Sequence, residues 1–99
     1  MPTIVNAMSV DVEDYFHVAA LAGSIDRSRW DEMEYRAEEN TRRLLDLFDE
    51  FQIKSTFFVL GWVAHRSPQL IREIHRRGHE VASHGMSHKL VYNQTPAEF

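Results

Sequence analysis

Three short apolar segments alternate with two amphipathic segments along this chain, and this alternation restricts the fold more than any other feature. Segments 3–12 and 54–60 are rich in large apolar residues, and with the shorter segment 79–83 they predict three buried strands. Residues 34–51 and 69–77 repeat apolar positions at helical spacing, which predicts two amphipathic helices. Strands that alternate with helices form parallel sheets covered by helices, so the predicted fold class is α/β.

The predicted helices have recognisable faces and ends. On the first helix, the apolar positions that we expect in the core are Leu44, Leu47, Phe48 and Phe51. The second helix begins after Ser67 with Pro68 at its first position, and Gly78 ends it, which is the usual placement of these residues. Residues 15–33 mix glycine and small polar residues with apolar ones, and they predict a long loop with room for a short helical turn.

The end of the chain has the features of another helix N-terminus. Thr95 suits the N-cap, Pro96 suits the first helical position, and Glu98 follows three residues after the cap. A helix that begins and does not continue indicates a missing segment. We therefore expect residues 1–99 to be the N-terminal portion of a single larger domain whose C-terminal part is missing.

Charge and hydropathy exclude several classes of protein. The 11 Lys and Arg residues against 15 Asp and Glu give a net charge of −4, whereas nucleic-acid binders carry a basic surface. No apolar run approaches the roughly 20 residues of a transmembrane helix, and the N-terminus lacks the basic residues of a signal peptide. We expect no nucleic-acid partner, no transmembrane segment, and a location in the cytoplasm or on the cytoplasmic face of a membrane.

Side chains with metal-binding chemistry follow the first and third predicted strands. Asp11, Glu13 and Asp14 lie at the end of the first strand, and His84 and His88 follow the third. In α/β folds the chemistry gathers at the carboxyl ends of the strands, so we expect the two clusters to meet. Either cluster alone is more simply a solvated loop. A carboxylate with two imidazoles can hold a divalent ion, and a second carboxylate can accept a proton from water, which indicates metal-assisted hydrolysis.

Three segments resemble one known family, in the right order over nearly the whole chain. Residues 9–14, Ser-Val-Asp-Val-Glu-Asp, resemble the first motif of the polysaccharide deacetylases, the NodB-homology domain of carbohydrate esterase family 4. Residues 55–61 resemble the strand after the family's first helix, and residues 78–88 resemble its second motif, with two histidines four residues apart. The sequence Asp-Val-Glu-Asp-Tyr-Phe is most similar to the branch found beside exosortase-linked exopolysaccharide clusters.

This resemblance implies the N-terminal part of a distorted (β/α) barrel of the NodB-homology type. The implied enzyme removes N-acetyl groups from an N-acetylated polysaccharide or oligosaccharide, in exopolysaccharide synthesis, with zinc or a similar divalent metal ion. Carried over by position, Asp11 is the general base, and His84 and His88 are metal ligands.

The resemblance leaves the third metal ligand open. Many members carry two adjacent aspartates, whereas Val12 occupies the second of those positions here. Members with an Asp-x-Asp pattern would place the role on Glu13, and Asp14 is the alternative. The family's later motifs, which include a histidine that acts as the acid, would lie beyond Phe99. We therefore expect the fragment 1–99 to be inactive by itself.

Two other functions are compatible with the same sequence. One is a metal-free amidase of the allantoinase kind that acts on a small amide, and the presence of both His84 and His88 argues against it. The other is a non-catalytic carbohydrate-binding protein, and the retained Asp11 argues against that. The sequence determines neither the sugar polymer nor the oligomeric state.

Overall fold

The computed structural model describes residues 3–99, which form a parallel sheet covered by helices. The strands are β1 (Ser9–Val12), β2 (Thr56–Val59) and β3 (Glu80–Ser83), and they lie in the order β1-β2-β3. Both strand pairs are parallel and in step, so that their carboxyl ends lie along one edge. The α/β prediction is confirmed.

Within residues 3–99, three α-helices and three short 3-10 helices lie between the strands, and a fourth 3-10 helix follows the last strand. The α-helices are α1 (Ala37–Glu50), α2 (Gly61–Arg66) and α3 (Pro68–Arg76). The 3-10 helices that the structure describes are Tyr15–His17, Ala19–Leu21, Arg27–Glu32 and Val91–Asn93. None of the helices within residues 3–99 combines the length and the apolar character that a membrane span requires.

The core lies where α1 and α3 pack against one face of the sheet. Phe57 and Val59, two residues apart on β2, point to this face because side chains alternate along a strand. The buried core residues from all elements are Val12, Leu45, Phe48, Phe57, Val59, Leu60, Val63, Leu70 and Ile74. The opposite face of the sheet carries Asp11 next to Phe58, so Asp11 points away from the core.

The first strand is shorter than predicted. Pairing starts with Ser9 opposite Thr56, and the last hydrogen bond before it runs from the Thr56 amide to the Met8 carbonyl. Ile4 and Val5, which the sequence placed in the strand, are 84% and 88% exposed. A strand forms only where a partner strand supplies hydrogen bonds. Because β2 begins at Thr56, the residues before Met8 have no pairing partner on β2.

The first helix also differs from its prediction at its start and in its buried face. It begins at Ala37 rather than residue 34, and its buried positions are Ala37, Thr41, Leu45 and Phe48. Leu47 and Phe51, predicted as core, are exposed. The run of leucines allows two overlapping apolar faces, and the buried Thr41 does not stand out by hydrophobicity.

Two short segments also differ from what the sequence indicates. The sequence pattern missed α2, a helix of six residues that begins one residue after β2 ends. The contacts of a capping box between Thr95 and Glu98 do form, with each side chain bonded to the other's backbone amide. The segment is a turn in the structure rather than a helix.

Candidate metal centre

The carboxyl ends of the outer strands bring two sequence clusters together. Glu13 follows β1 directly, and His84 follows β3 directly. Val12 and Ser83 are both in register with Val59 of β2, so the chain leaves β1 and β3 at the same edge of the sheet. His88 lies farther along the loop that starts at His84.

Glu13, His84 and His88 converge on one point. The Nε2 atom of His84 is 3.2 Å from the Glu13 Oε2 atom, and the Nε2 atom of His88 is 3.1 Å from the same oxygen. One ligand atom from each side chain lies within 4.8 Å of the others. A tetrahedral zinc ion with bonds of about 2.0–2.1 Å holds its ligands roughly 3.3 Å apart, so the two distances to Glu13 Oε2 fit a metal site.

Two of these atoms are buried without a hydrogen-bond partner. Among the described residues, nothing satisfies Glu13 Oε2 or His84 Nε2 by hydrogen-bond geometry, although the two atoms are close. Buried polar atoms are normally paired, so each orphaned atom needs an explanation. A divalent ion would bind both, and one carboxylate with two imidazoles is a donor set that zinc accepts.

Asp11 lies beside this group and remains open to solvent. Its Oδ2 atom is 3.8 Å from His84 Nε2, and its side chain is 56% exposed. Asp11 does not belong to the set of mutually close ligand atoms among the described residues. A carboxylate placed next to a metal site and reached by water can accept a proton from that water.

The Asp14 carboxylate turns away from the histidines and binds backbone amides. It is buried, and it accepts hydrogen bonds from the amides of Tyr15 at 2.9 Å, Arg36 at 2.6 Å and Ala37 at 2.7 Å. These bonds cap the first turn of α1 and of the 3-10 helix at residues 15–17. Of the two carboxylates that the sequence left open, the structure groups only Glu13 with His84 and His88.

The helix α2 supports the loop that carries the two histidines. The amides of Gly61 and Trp62 donate to the carbonyls of Gly85 and Met86, both at 2.8 Å. A Cβ atom on Gly61 would overlap the Met86 Sδ atom and would lie 3.0 Å from its Cα atom. Gly61 is therefore required for this close approach, a role that a glycine after a strand signals only weakly.

A buried histidine and several aromatic rings stand next to the site, and the sequence did not single them out. His17 Nδ1 accepts a 2.7 Å hydrogen bond from the Asp14 amide, and its ring packs at 4.7 Å against both Trp30 and Trp62. Burial lowers the pKa of His17 to about 4, so its imidazole is neutral at pH 7. Trp62 packs within this cluster, against Phe16, His17 and Trp30.

Comparison with known proteins gives a consistent match. Residues 28–99 match the family model described as polysaccharide deacetylase. A peptidoglycan-N-acetylglucosamine deacetylase of Bacillus cereus is 33% identical over 55 residues, which is 56% of this chain and 26% of that protein. A chitooligosaccharide deacetylase of Sinorhizobium fredii is 48% identical over 48 residues, which is 48% of this chain and 22% of that protein. The chain thus spans about a quarter of the length of these curated relatives.

Solved structures share the arrangement of strands and helices. A Mycobacterium smegmatis protein described as a polysaccharide deacetylase matches with a TM-score of 0.68 and 35% identity. The match covers 90% of this chain and 32% of the chain of that protein. A peptidoglycan deacetylase of Bacillus subtilis matches with a TM-score of 0.61 at 22% identity, and the match covers 90% of this chain and 33% of the chain of that protein. The second match shows the fold alone. Together they confirm the predicted fold class.

Proposed function

This chain belongs to the polysaccharide deacetylase family, and from that premise we propose that the protein is a metal-dependent hydrolase that removes N-acetyl groups from a polysaccharide. The single observation that carries the proposal is the convergence of Glu13, His84 and His88 beside an exposed Asp11. The relatives named above are deacetylases of peptidoglycan N-acetylglucosamine and of chitooligosaccharides, which supports an N-acetylated sugar polymer or oligomer as the substrate class.

Glu13, His84 and His88 are the proposed ligands of a divalent ion, and zinc suits this donor set best. When bound, the ion supplies Lewis-acid polarisation of the acetyl carbonyl and acidifies the attacking water. The unsatisfied atoms Glu13 Oε2 and His84 Nε2 favour this function over a metal-free amidase, because such an enzyme would leave them without a partner among the described residues. The same atoms argue against a purely carbohydrate-binding role.

Asp11 is the proposed general base. Its carboxylate takes a proton from the attacking water, the water oxygen forms a bond to the acetyl carbon, and the bond from that carbon to nitrogen breaks. The products are acetate and a free amine on the sugar. The proton for the leaving amine is expected from the acid that the resemblance to the family implies.

A role in exopolysaccharide synthesis is the finer part of the proposal. It rests on the similarity of the Asp-Val-Glu-Asp-Tyr-Phe segment to the exosortase-linked branch. The predicted location, in the cytoplasm or on the cytoplasmic face of a membrane, stays a prediction.

The test of the proposed function is metal binding by the full-length protein, followed by turnover. The wild-type protein is expected to bind one zinc ion per chain and to release acetate from N-acetylated oligosaccharides. Asp11→Asn is expected to keep the ion and to lose about 100-fold or more in turnover, which is the usual contribution of a general base. Asp46→Asn, an exposed carboxylate on α1 that pairs with Arg77, is the matched control.

The double variant His84→Ala with His88→Ala is expected to lose the ion. Zinc binding that is indifferent to both histidines would contradict the metal centre. Near-full activity of Asp11→Asn would contradict the assignment of the base alone.

A further inference from the structure

An arginine from the loop between β1 and α1 reaches the loop that carries the two histidines. The Nη1 atom of Arg27 donates a hydrogen bond to the carbonyl oxygen of Ser87, the residue directly before His88. The guanidinium also lies over the ring of Trp30, 4.9 Å from its centroid. Arg27 is thus in contact with the histidine loop on one side and with a buried aromatic ring on the other.

The Ser87 carbonyl belongs to the peptide unit whose rotation sets the position of His88. His88 has a φ of 57°, in the left-handed region that residues other than glycine rarely adopt. Such conformations persist only where the surrounding structure holds them. The angle φ of His88 is the rotation about its N–Cα bond, and it is measured from the carbonyl carbon of Ser87. A hydrogen bond that fixes the Ser87 carbonyl group therefore also restrains this angle.

The rest of the loop is held by backbone contacts that end before this peptide. The amides of α2 bind the carbonyls of Gly85 and Met86. Arg27 continues this series at Ser87 with a side-chain donor. The three successive carbonyls are therefore held in turn, and the last of them depends on a side chain that a substitution can remove.

Arg27 itself is attached to a firmly packed support. It begins the 3-10 helix Arg27–Glu32, which Asp26 caps by accepting bonds from the Ser28 amide and hydroxyl, both at 2.8 Å. Trp30 in this helix is buried and packs against His17, whose Nδ1 atom is bonded to the Asp14 amide. Through this support Arg27 connects the segment after β1 to the segment after β3.

We propose that Arg27 is a positioning residue that holds the Ser87–His88 peptide and thereby presents His88 to the metal ion. The inference rests on the proposed metal centre. The expected effect of removing the guanidinium is a loss of about 10–100-fold in metal affinity, the usual result when a residue that orients a ligand is removed. Removing a nearby positive charge would by itself favour binding of a cation. A loss of affinity therefore reports the lost positioning rather than the changed charge.

The experiment is a zinc titration against a chromophoric chelator with the full-length protein. Arg27→Met is compared with Arg29→Met, because Arg29 lies on the same 3-10 helix but pairs with Glu32 at the surface. Arg27→Met is expected to weaken zinc binding about 10–100-fold, and Arg29→Met is expected to match the wild type. The thermal unfolding of the two apoproteins is expected to be similar, which separates positioning from a general loss of stability.

Substitution of cobalt provides a second readout besides affinity. The visible absorption spectrum of the cobalt-loaded protein is expected to change in Arg27→Met, because the geometry at His88 is altered, and to stay unchanged in Arg29→Met. If Arg27→Met does not fold, Arg27→Lys against Arg29→Lys decides the question. Lysine keeps a hydrogen-bond donor but lacks the planar guanidinium group of arginine. Arg27→Lys is therefore expected to lose less zinc affinity than Arg27→Met, but more than Arg29→Lys.

Two results would overturn the inference and are distinguishable from each other. If the wild-type protein binds no divalent ion, the proposed metal centre fails and the role of Arg27 fails with it. If the wild type binds zinc and the Arg27 and Arg29 variants bind it equally well with unchanged cobalt spectra, only the role of Arg27 fails.

Discussion

At the scale of single residues, two adjacent carboxylates have opposite environments. Glu13 Oε2 lies next to two imidazoles, and it has no hydrogen-bond partner among the residues that the structure describes. The Asp14 carboxylate instead accepts hydrogen bonds from three backbone amides. Composition and spacing could not separate them, because both follow the same strand and both are acidic. The difference arises from the backbone after β1, which turns Asp14 toward the N-terminus of α1.

Asp14→Asn is predicted to destabilise the protein without removing the metal ligands. An asparagine offers one oxygen, so the amides of Arg36 and Ala37 would lose the charged acceptor that they share. The expected decrease in the free energy of unfolding is about 2–4 kcal/mol, from hydrogen bonds to a charged group that are lost or left unsatisfied. Denaturant unfolding of the apoprotein measures it, with Glu13→Gln as the adjacent control that should stay near the wild type. Unchanged stability with lost zinc binding in Asp14→Asn would identify Asp14 as the ligand instead.

His17 is predicted to make the stability of the apoprotein depend on pH. Burial lowers its pKa from 6.5 to about 4 in the folded state, so folding favours the neutral ring. The stabilisation is present above the unfolded pKa of 6.5 and is lost as the pH falls through 6.5 toward 4, by up to about 3 kcal/mol. His17→Gln can keep an acceptor for the Asp14 amide and should lose less stability than the wild type between pH 7 and pH 4. An equal loss in both proteins would show that His17 does not contribute.

At the scale of elements, the periodicity of the sequence located most helices and strands. It did not predict the buried face of α1 correctly, and it did not reveal the short helix α2. The positions of α1, α3 and all three strands followed from alternating apolar segments. The buried face of α1 was displaced by one position, because Leu44, Leu45 and Leu47 allow more than one apolar stripe. The helix α2 was missed, since six residues are too few for a periodic pattern to emerge.

Gly61→Ala is predicted to disturb the histidine loop through α2. The new methyl group would collide with the Met86 Sδ atom and make a tight contact of 3.0 Å with its Cα atom, and the backbone atom cannot move without shifting the loop. The expected cost is about 1–3 kcal/mol of unfolding free energy, the usual range for overpacking, together with weaker zinc binding. Gly23→Ala is the matched control, since, apart from Gly23 and its two chain neighbours, no atom of the described residues lies within 4 Å of the place that its Cβ atom would take.

Combining Gly61→Ala with Met86→Ala separates the two contacts. The double variant removes the clash with Sδ and keeps the tight contact with the Met86 Cα atom, so stability should recover only in part. Full recovery would mean that the side chain, rather than the backbone of the loop, limits the approach. A Gly61→Ala protein as stable as Gly23→Ala would contradict the role of Gly61.

At the scale of the whole molecule, the fold class followed from the sequence and the geometry of the site did not. Alternating strands and helices implied a parallel sheet whose carboxyl ends carry the chemistry, and this placed residues 11–14 near residues 84–88. The contacts of His17, Arg27 and Trp30 depend on how the long loop 15–33 packs over the sheet edge. Loop packing has no periodic signature in sequence, so these residues could be found only in three dimensions.

Glu13, His84 and His88 are proposed to hold a divalent ion, and on this ion the proposed activity depends. The most direct test is anomalous X-ray scattering from crystals of the full-length protein loaded with zinc. The expected result is one zinc peak bonded to these three side chains at about 2.0–2.2 Å, with the Asp14 carboxylate still on the amides of α1. A zinc ion bound elsewhere, or bonded to Asp14 in place of Glu13, would contradict the account.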